Sequence, residues 1–134
     1  MTQKYVLLSF NYQKGKPKVT VKLKYKEKSK YFSFLVDSGS DYTLISQSDA
    51  VTLGIDYKEI NAPEIKIEIA DLTTMHTKKV PLTLLIDTFE LNIPVLIAKE
   101  PVERLLGRKG VFPKFDITFK ERLEEIEFKY YQEV

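Results

Sequence analysis

The chain has 134 residues, of which 43% are hydrophobic and 12% aromatic, and its formal net charge is +2. This length and apolar content fit one domain with a substantial core, so we expect a single domain over residues 1–134. The chain has no cysteine and one histidine, which excludes disulfides and argues against the common zinc sites, so we expect no metal and no cofactor.

The pattern of apolar residues predicts a mostly β protein. Alternating or clustered β-branched, aromatic and aliphatic residues indicate strands near 4–10, 18–26, 31–36, 42–46, 65–70, 77–86 and 89–97, and then around 115–119 and 126–130. The segment Gly15-Lys16-Pro17 breaks the first pair of strands. No internal repeat accompanies these strands.

One short helix is predicted after the fourth strand. Ser46 or Ser48 can cap a helix that runs through Ala50 to Leu53. Gly54 stands where a helix would end in a left-handed residue.

Lysine is concentrated in the second predicted strand and in the residues just before and after it. Val19, Val21 and Leu23 alternate with lysine and threonine, as expected of a strand with one buried and one solvated face. We therefore interpret the basic residues as a solvated face and expect no nucleic-acid partner. The lysines concerned are Lys14, Lys16, Lys18, Lys22, Lys24, Lys26, Lys28 and Lys30.

No basic segment followed by an apolar core opens the chain, and no apolar run is long enough to cross a bilayer. We therefore expect a cytoplasmic protein with no membrane partner.

The strand predicted at 31–36 delivers an aspartate into a tight turn. In the run Phe34-Leu35-Val36-Asp37-Ser38-Gly39-Ser40, the carboxylate of Asp37 stands at the edge of an apolar interior. Ser38 can fix the turn through a hydrogen bond to the backbone, and Gly39 tolerates conformations that a β-carbon would forbid. Asp37 is therefore a candidate for chemistry.

Two motifs resemble the retropepsin-like aspartic peptidases. The segment 37–45, DSGSDYTLI, resembles the active-site loop of that family, and the segment 102–108, VERLLGR, is similar to its apolar-apolar-Gly-Arg element. The resemblance covers roughly residues 18 to 130. It implies a mostly β, retropepsin-like acid-protease fold: a closed barrel-like domain with one or two short helices and a flap hairpin. It also implies an aspartic endopeptidase in which Asp37, Ser38 and Gly39 form the catalytic turn.

Only one Asp-Ser-Gly turn is present in the chain. Asp87-Thr88 follows a similar apolar run, but Phe89 occupies the glycine position, so we predict a hairpin corner there. Peptide hydrolysis by carboxylates needs one group to accept a proton and a neighbouring group to donate one. The second carboxylate must then come from a second subunit, which predicts a homodimer acting on a peptide or protein substrate. The resemblance implies that Ser38 makes hydroxyl contacts across the twofold axis.

The resemblance also assigns supporting and substrate-binding residues. Asp41 and Arg108 are expected to form an ion pair that braces the active-site loop, supported by Leu106 and Gly107. Residues 64–69 alternate and are followed by 70–76, which is the expected place for a flap hairpin. Viral flaps carry glycines at the tip and this segment has none, so we expect a stiffer flap. The candidate substrate contacts are Ser40, Asp41, Leu72, Thr73, Thr74 and Met75.

Two predictions remain open from the sequence. His76 could serve a serine triad, but no Gly-x-Ser-x-Gly elbow is present, so we interpret it as an ordinary flap or strand residue. The C-terminal segment 115–131 extends beyond the viral architecture and suits either a hairpin on the core or an intersubunit sheet.

Two functions other than a homodimeric endopeptidase are weighed. The first alternative is a weak or inactive retropepsin-like dimer that binds peptides or acts as a scaffold. The second is a lysine-rich β protein that binds nucleic acid, which a salt-insensitive binding constant would count against.

Overall fold

The computed structural model describes residues 4–68 and 73–132. These residues form ten strands and one short α-helix: β1 (Lys4–Asn11), β2 (Lys18–Tyr25), β3 (Lys28–Val36), β4 (Thr43–Ser46), α1 (Gln47–Thr52), β5 (Ile65–Glu68), β6 (Thr74–Ile86), β7 (Phe89–Ala98), β8 (Leu105–Leu106), β9 (Asp116–Lys120) and β10 (Glu125–Gln132). Short 3₁₀ segments lie at Tyr57–Glu59, Phe112–Lys114 and Glu121–Leu123. The mostly β prediction is confirmed.

Six strands close into a ring, which confirms the predicted barrel-like architecture. The order is β2-β3-β8-β4-β7-β6, and β6 returns to β2 through antiparallel pairing of Lys22 with Leu85 and Lys24 with Thr83. The strand β5 is added outside the ring on β6. Pro81 lies on β6 between the residues that pair with β5 and those that pair with β2. Among the described residues it has no strand partner on this edge of β6, so its missing N–H costs no hydrogen bond there.

The main core lies inside this ring. Val19, Val21 and Leu23 are at most 2% exposed, whereas Lys18 and Lys24 on either side of them are exposed. Lys22 lies over the ring of Tyr31, 4.8 Å from its centroid, on the same outer face. The alternation predicted for β2 is therefore confirmed, with apolar side chains inward and lysines toward solvent.

The predicted helix forms with Ser46 as its N-cap. The Ser46 hydroxyl accepts a hydrogen bond from the Asp49 N–H at 3.3 Å, and Ser48 hydrogen-bonds to Ser46 rather than capping. The chain leaves the helix through Gly54 at φ +77°, a left-handed conformation that favours glycine.

The C-terminal segment folds onto the core of its own chain. Strands β9 and β10 form an antiparallel hairpin, and β1 adds to the other edge of β10. Phe115 and Phe128 are at most 4% exposed and contact each other edge to face at 5.5 Å. The hairpin on the core, one of the two arrangements open from the sequence, is therefore present in the chain.

A second, smaller apolar cluster lies on the opposite side of the ring strands. We call it the flap-side cluster, because it joins the β5–β6 hairpin to the strands around the Asp37 loop. Neighbouring residues on β4, β7 and β8 point to opposite clusters, so these strands are buried on both faces. The flap-side cluster comprises Leu44, Met75, Leu96 and Ala98, with Tyr42, Ile67, Val102 and Leu105 packed against them.

Candidate active site

Strand β3 delivers Asp37 to a surface loop, and a strand distant in sequence fixes the point of delivery. Val36 pairs in parallel with Leu106 of β8, and the Asp37 N–H donates to the Leu106 carbonyl at 3.0 Å. Two residues earlier the Leu35 N–H donates to the Arg104 carbonyl at 2.9 Å. These backbone bonds hold the aspartate against β8 as it leaves the sheet.

The turn itself orients the carboxylate. The Gly39 N–H donates to Asp37 Oδ1 at 2.9 Å, and the Ser40 N–H donates to the Asp37 carbonyl at 3.2 Å. A β-carbon at Gly39 would lie 3.3 Å from the same carboxylate oxygen, which is a crowded distance. Asp37 is half-buried while Ser38 and Gly39 are exposed, so the turn presents its carboxylate at the surface.

Gly107 lets two backbone segments meet beneath the loop. A β-carbon on it would lie 2.3 Å from the carbonyl carbon and oxygen of Tyr42, a distance that no folded backbone accommodates. Its N–H donates to the Thr43 hydroxyl at 3.1 Å, and Thr43 is fully buried. The predicted supporting role of Gly107 thus has a steric basis in this chain. Leu106, also predicted to support the loop, is fully buried in the main core.

Thr43 is a supporting residue that the sequence reasoning missed. It stands between Tyr42 and Leu44 at the start of β4, where a buried hydroxyl requires a hydrogen-bond partner. That requirement was the available signal. The partner, Gly107, is 64 residues away along the chain.

The predicted ion pair between Asp41 and Arg108 is not among the ion pairs of residues 4–68 and 73–132, and it stays a prediction. The two segments are joined through the backbone. The Arg108 N–H donates to the Ser40 carbonyl at 2.9 Å, and the Lys109 N–H donates to the Asp41 carbonyl at 2.8 Å. Both charged side chains are exposed, where water competes for each of them and a direct pair gains little.

A different arginine forms the bidentate contact. Arg104 Nε and one terminal nitrogen donate to the two carboxylate oxygens of Asp49 at 2.9 and 3.0 Å, and the guanidinium lies over the ring of Phe32. The hydrogen bond to Asp49 raises the pKa of Arg104 despite partial burial. This pair fastens the segment before β8 to helix α1, so Arg104 braces the strand behind Asp37.

The model of the gag-polyprotein putative aspartyl protease family matches residues 23–109, more than half of the chain, including the Asp37 loop and Gly107. The chain belongs to this family. No curated protein matches the sequence.

Solved structures agree with the aspartyl protease family. The fold is similar to that of a retropepsin-like aspartic protease from Rickettsia conorii, with a TM-score of 0.69, 13% identity, and coverage of 99% of this chain and 98% of that one. It is also similar to the EIAV protease complexed with the inhibitor HBY-793, with a TM-score of 0.52, 19% identity, and coverage of 74% and 86%. The predicted retropepsin-like fold is confirmed.

At the position predicted for the flap, strands β5 and β6 pair as an antiparallel hairpin. Glu68 pairs with Thr74 and Ile67 with Met75, so the strands converge toward the segment between them. Leu72, one of the predicted substrate contacts, lies outside the described residues. Thr73 is exposed, and Met75 is 6% exposed within the flap-side cluster. Substrate contact at these positions stays a prediction.

His76 anchors the base of this hairpin. Its backbone N–H donates to Glu100 Oε1 at 2.8 Å, and its Nδ1 lies 2.6 Å from Glu100 Oε2. Burial raises the pKa of the Glu100 carboxyl, but the hydrogen bonds from His76 and the backbone outweigh it and leave that pKa below its usual value. These contacts are consistent with the structural role expected for His76.

The described ranges contain no group of three or more His, Asp or Glu side chains placed to hold a metal ion. Within the same ranges, no helix has the length and apolar character needed to span a membrane.

Proposed function

We propose that the chain is an aspartic endopeptidase that works as a homodimer, with one Asp37 carboxylate from each subunit activating the attacking water. The observation that carries this proposal is the Asp37 turn. Its carboxylate is oriented by the Gly39 N–H and braced by β8, and it lies at the surface, where a second copy can approach it. Membership of the aspartyl protease family supports the reaction type.

Two copies of the turn are required by the chemistry. One carboxylate must take a proton from water while the other gives one to the carbonyl oxygen of the scissile bond. Two carboxyl groups a few ångströms apart titrate separately and share one proton, which supplies both states at once. An isologous interface brings the same turn of each subunit to a twofold axis, and the exposed Ser38 would contact its counterpart there.

The partly buried members of the flap-side cluster, Tyr42, Ile67, Val102 and Leu105, border the surface on which a peptide would lie. The cluster runs from the end of the Asp37 loop, through Leu44 and Leu105, to Met75 and Ile67 of the hairpin. An extended peptide held between the loop and the hairpin would place apolar side chains against these residues. Ser40, Asp41, Thr73, Thr74 and Met75 are the contacts proposed for it among the described residues.

One observation favours the alternative function, a dimer that binds peptides with little or no turnover. The segment 64–76, which includes the predicted flap, contains no glycine. Closure over a substrate and product release both require the hairpin to move, and hinge residues absorb such movement. A stiff hairpin would slow turnover without preventing binding.

The deciding experiment compares Asp37→Asn with a matched substitution, Asp87→Asn. Asp87 also follows an apolar strand end but stands in an exposed hairpin turn. A diverse peptide library is offered to each variant and to the wild type from acid to neutral pH, at concentrations where sedimentation shows the dimer. We expect cleavage by the wild type and by Asp87→Asn, and its loss in Asp37→Asn. Turnover that survives in Asp37→Asn would refute the mechanism, and a dimer without turnover would favour the binding module.

A further inference from the structure

The phenol of Tyr42 is held between two lysines just beyond the Asp37 loop. The Nζ atoms of Lys109 and Lys79 lie 3.0 and 3.3 Å from the Tyr42 hydroxyl oxygen. The same two atoms lie 4.5 and 5.0 Å from the centroid of the ring. Hydrogen bonds from Lys109 and then Lys79 lower the pKa of Tyr42, and the contact with the hydroxyl raises the pKa of Lys109.

This group has more hydrogen-bond donors than acceptors. An ammonium can only donate, so the hydroxyl oxygen accepts from both lysines and its own hydrogen must point elsewhere. Within residues 4–68 and 73–132, that hydrogen meets no acceptor, and neither lysine has a carboxylate within ion-pair distance. Asp41 is the acidic group near Lys109, and it acts on that lysine only through space.

The group borders the surface proposed for the peptide. Tyr42 packs against the flap-side cluster, and its carbonyl accepts a hydrogen bond from the Ser40 hydroxyl at 2.7 Å. Lys79 is the cross-strand partner of Leu96 and stands four residues from Met75 on β6, so the alternation of the strand places it on the flap-side face. Lys109 joins the same corner through its backbone bond to Asp41.

We propose that Tyr42, Lys79 and Lys109 form a specificity subsite that binds an acidic side chain of the peptide substrate. This proposal rests on the proposed function. A carboxylate would accept hydrogen bonds from both ammonium groups and from the hydroxyl, for which residues 4–68 and 73–132 supply no carboxylate partner. Hydrogen bonds to charged groups are among the stronger ones in proteins, and they are weakened by salt at an exposed site such as this. The substrate class is therefore a peptide that carries aspartate or glutamate beside an apolar segment.

The test uses matched peptides that differ only by glutamate or glutamine, with the substitution moved along the sequence one position at a time. For the wild type we expect a kcat/KM about tenfold higher for glutamate at one position, at low ionic strength. The double variant Lys79→Gln, Lys109→Gln should lose this ratio. The control Lys22→Gln, Lys24→Gln removes the same charge from the outer face of β2, where Lys22 also lies over a tyrosine, and it should keep the ratio.

Two results would overturn the subsite: equal rates for both peptides at every position, or a preference that survives in the Lys79→Gln, Lys109→Gln variant. Charge reversal is a further test, because the double variant Lys79→Glu, Lys109→Glu should prefer peptides with lysine at the same position.

Failure of the proposed function can be separated from failure of the subsite. If the wild type cleaves none of the peptides, the same pairs are labelled and their binding to the wild type is measured by fluorescence anisotropy. Tighter binding of the glutamate peptide, lost in the Lys79→Gln, Lys109→Gln variant, would sustain the subsite without catalysis. Equal binding of both peptides, or binding of neither, would overturn it.

Discussion

Two strands of this chain have apolar C-terminal ends, and each is followed by an aspartate and then a hydroxyl residue. The surroundings of the two aspartates differ. Asp87 occupies the two-residue turn between β6 and β7, in a left-handed conformation at φ 52°, and the strands on either side pair with each other. Asp37 leaves β3 beside β8, a strand that begins 68 residues later in the sequence, at Leu105. One turn is closed locally, and the other is held by distant segments.

The contacts around the two aspartates explain why only Asp37 is a candidate catalyst. Asp87 needs only its own hairpin. Asp37 depends on backbone bonds to residues 104–109 and on the close passage of Gly107 beneath Tyr42. A loop held in this way keeps its carboxylate in one place, which a twofold dyad requires.

The largest effect is expected from Gly107→Ala. The added β-carbon would meet the Tyr42 backbone at 2.3 Å, so β8 and the loop must separate. We expect a loss of about 3 kcal/mol or more in the free energy of unfolding, measured in urea, and no peptide cleavage. Gly15→Ala is the control, since nothing lies within 4 Å of its added carbon and only its φ of +68° is unfavourable, at a cost of about 1–2 kcal/mol. Equal losses in the two variants would show that the close passage is unimportant.

A smaller effect is expected from Thr43→Val, which keeps the shape of the side chain and removes the hydroxyl that accepts from the Gly107 N–H. An unpaired buried N–H costs about 1–3 kcal/mol, so urea unfolding should show a loss in that range. Thr88→Val in the exposed Asp87 turn should change stability by less than about 0.5 kcal/mol. If the two substitutions change the free energy of unfolding equally, the Asp37 loop is no more dependent on distant contacts than the Asp87 hairpin is.

The sequence predicted the local parts of this comparison well. Alternation and turn residues indicated the strands, the Asp87 corner and the helix cap, because each depends on neighbours in the chain. The observed strands differ mainly at their ends. β6 begins at Thr74 rather than 77, where pairing with β5 extends it.

The non-local parts were harder to predict. β8 has two residues and is too short to show a period. Arg104 pairs with Asp49 across 55 residues, and no local pattern favours it over Arg108. The family motif led to Arg108, yet the side chains of Asp41 and Arg108 are both exposed, and backbone bonds join their segments. Spatial contacts of this kind follow from how the strands assemble, which one sequence does not reveal.

The smallest effect concerns a third region, the base of the β5–β6 hairpin, whose anchor titrates. The Asp37 loop is held by backbone bonds that do not change with pH, whereas His76 is held by the Glu100 carboxylate. Burial raises the pKa of Glu100, but the hydrogen bonds from His76 and the backbone leave it below the ordinary 4.5. Because the folded state lowers this pKa, the carboxylate stabilises the fold at pH values above 4.5, and its contribution is lost as the pH falls through the lowered pKa.

The Tm of Glu100→Gln should therefore lie below that of the wild type near neutral pH, and the difference in Tm should close in acid. Glu90→Gln, at an exposed position of β7, should show no such pH-dependent gap. A gap for Glu100→Gln that stays constant into acid would mean that the hairpin, like the Asp37 loop, is held by contacts that do not titrate.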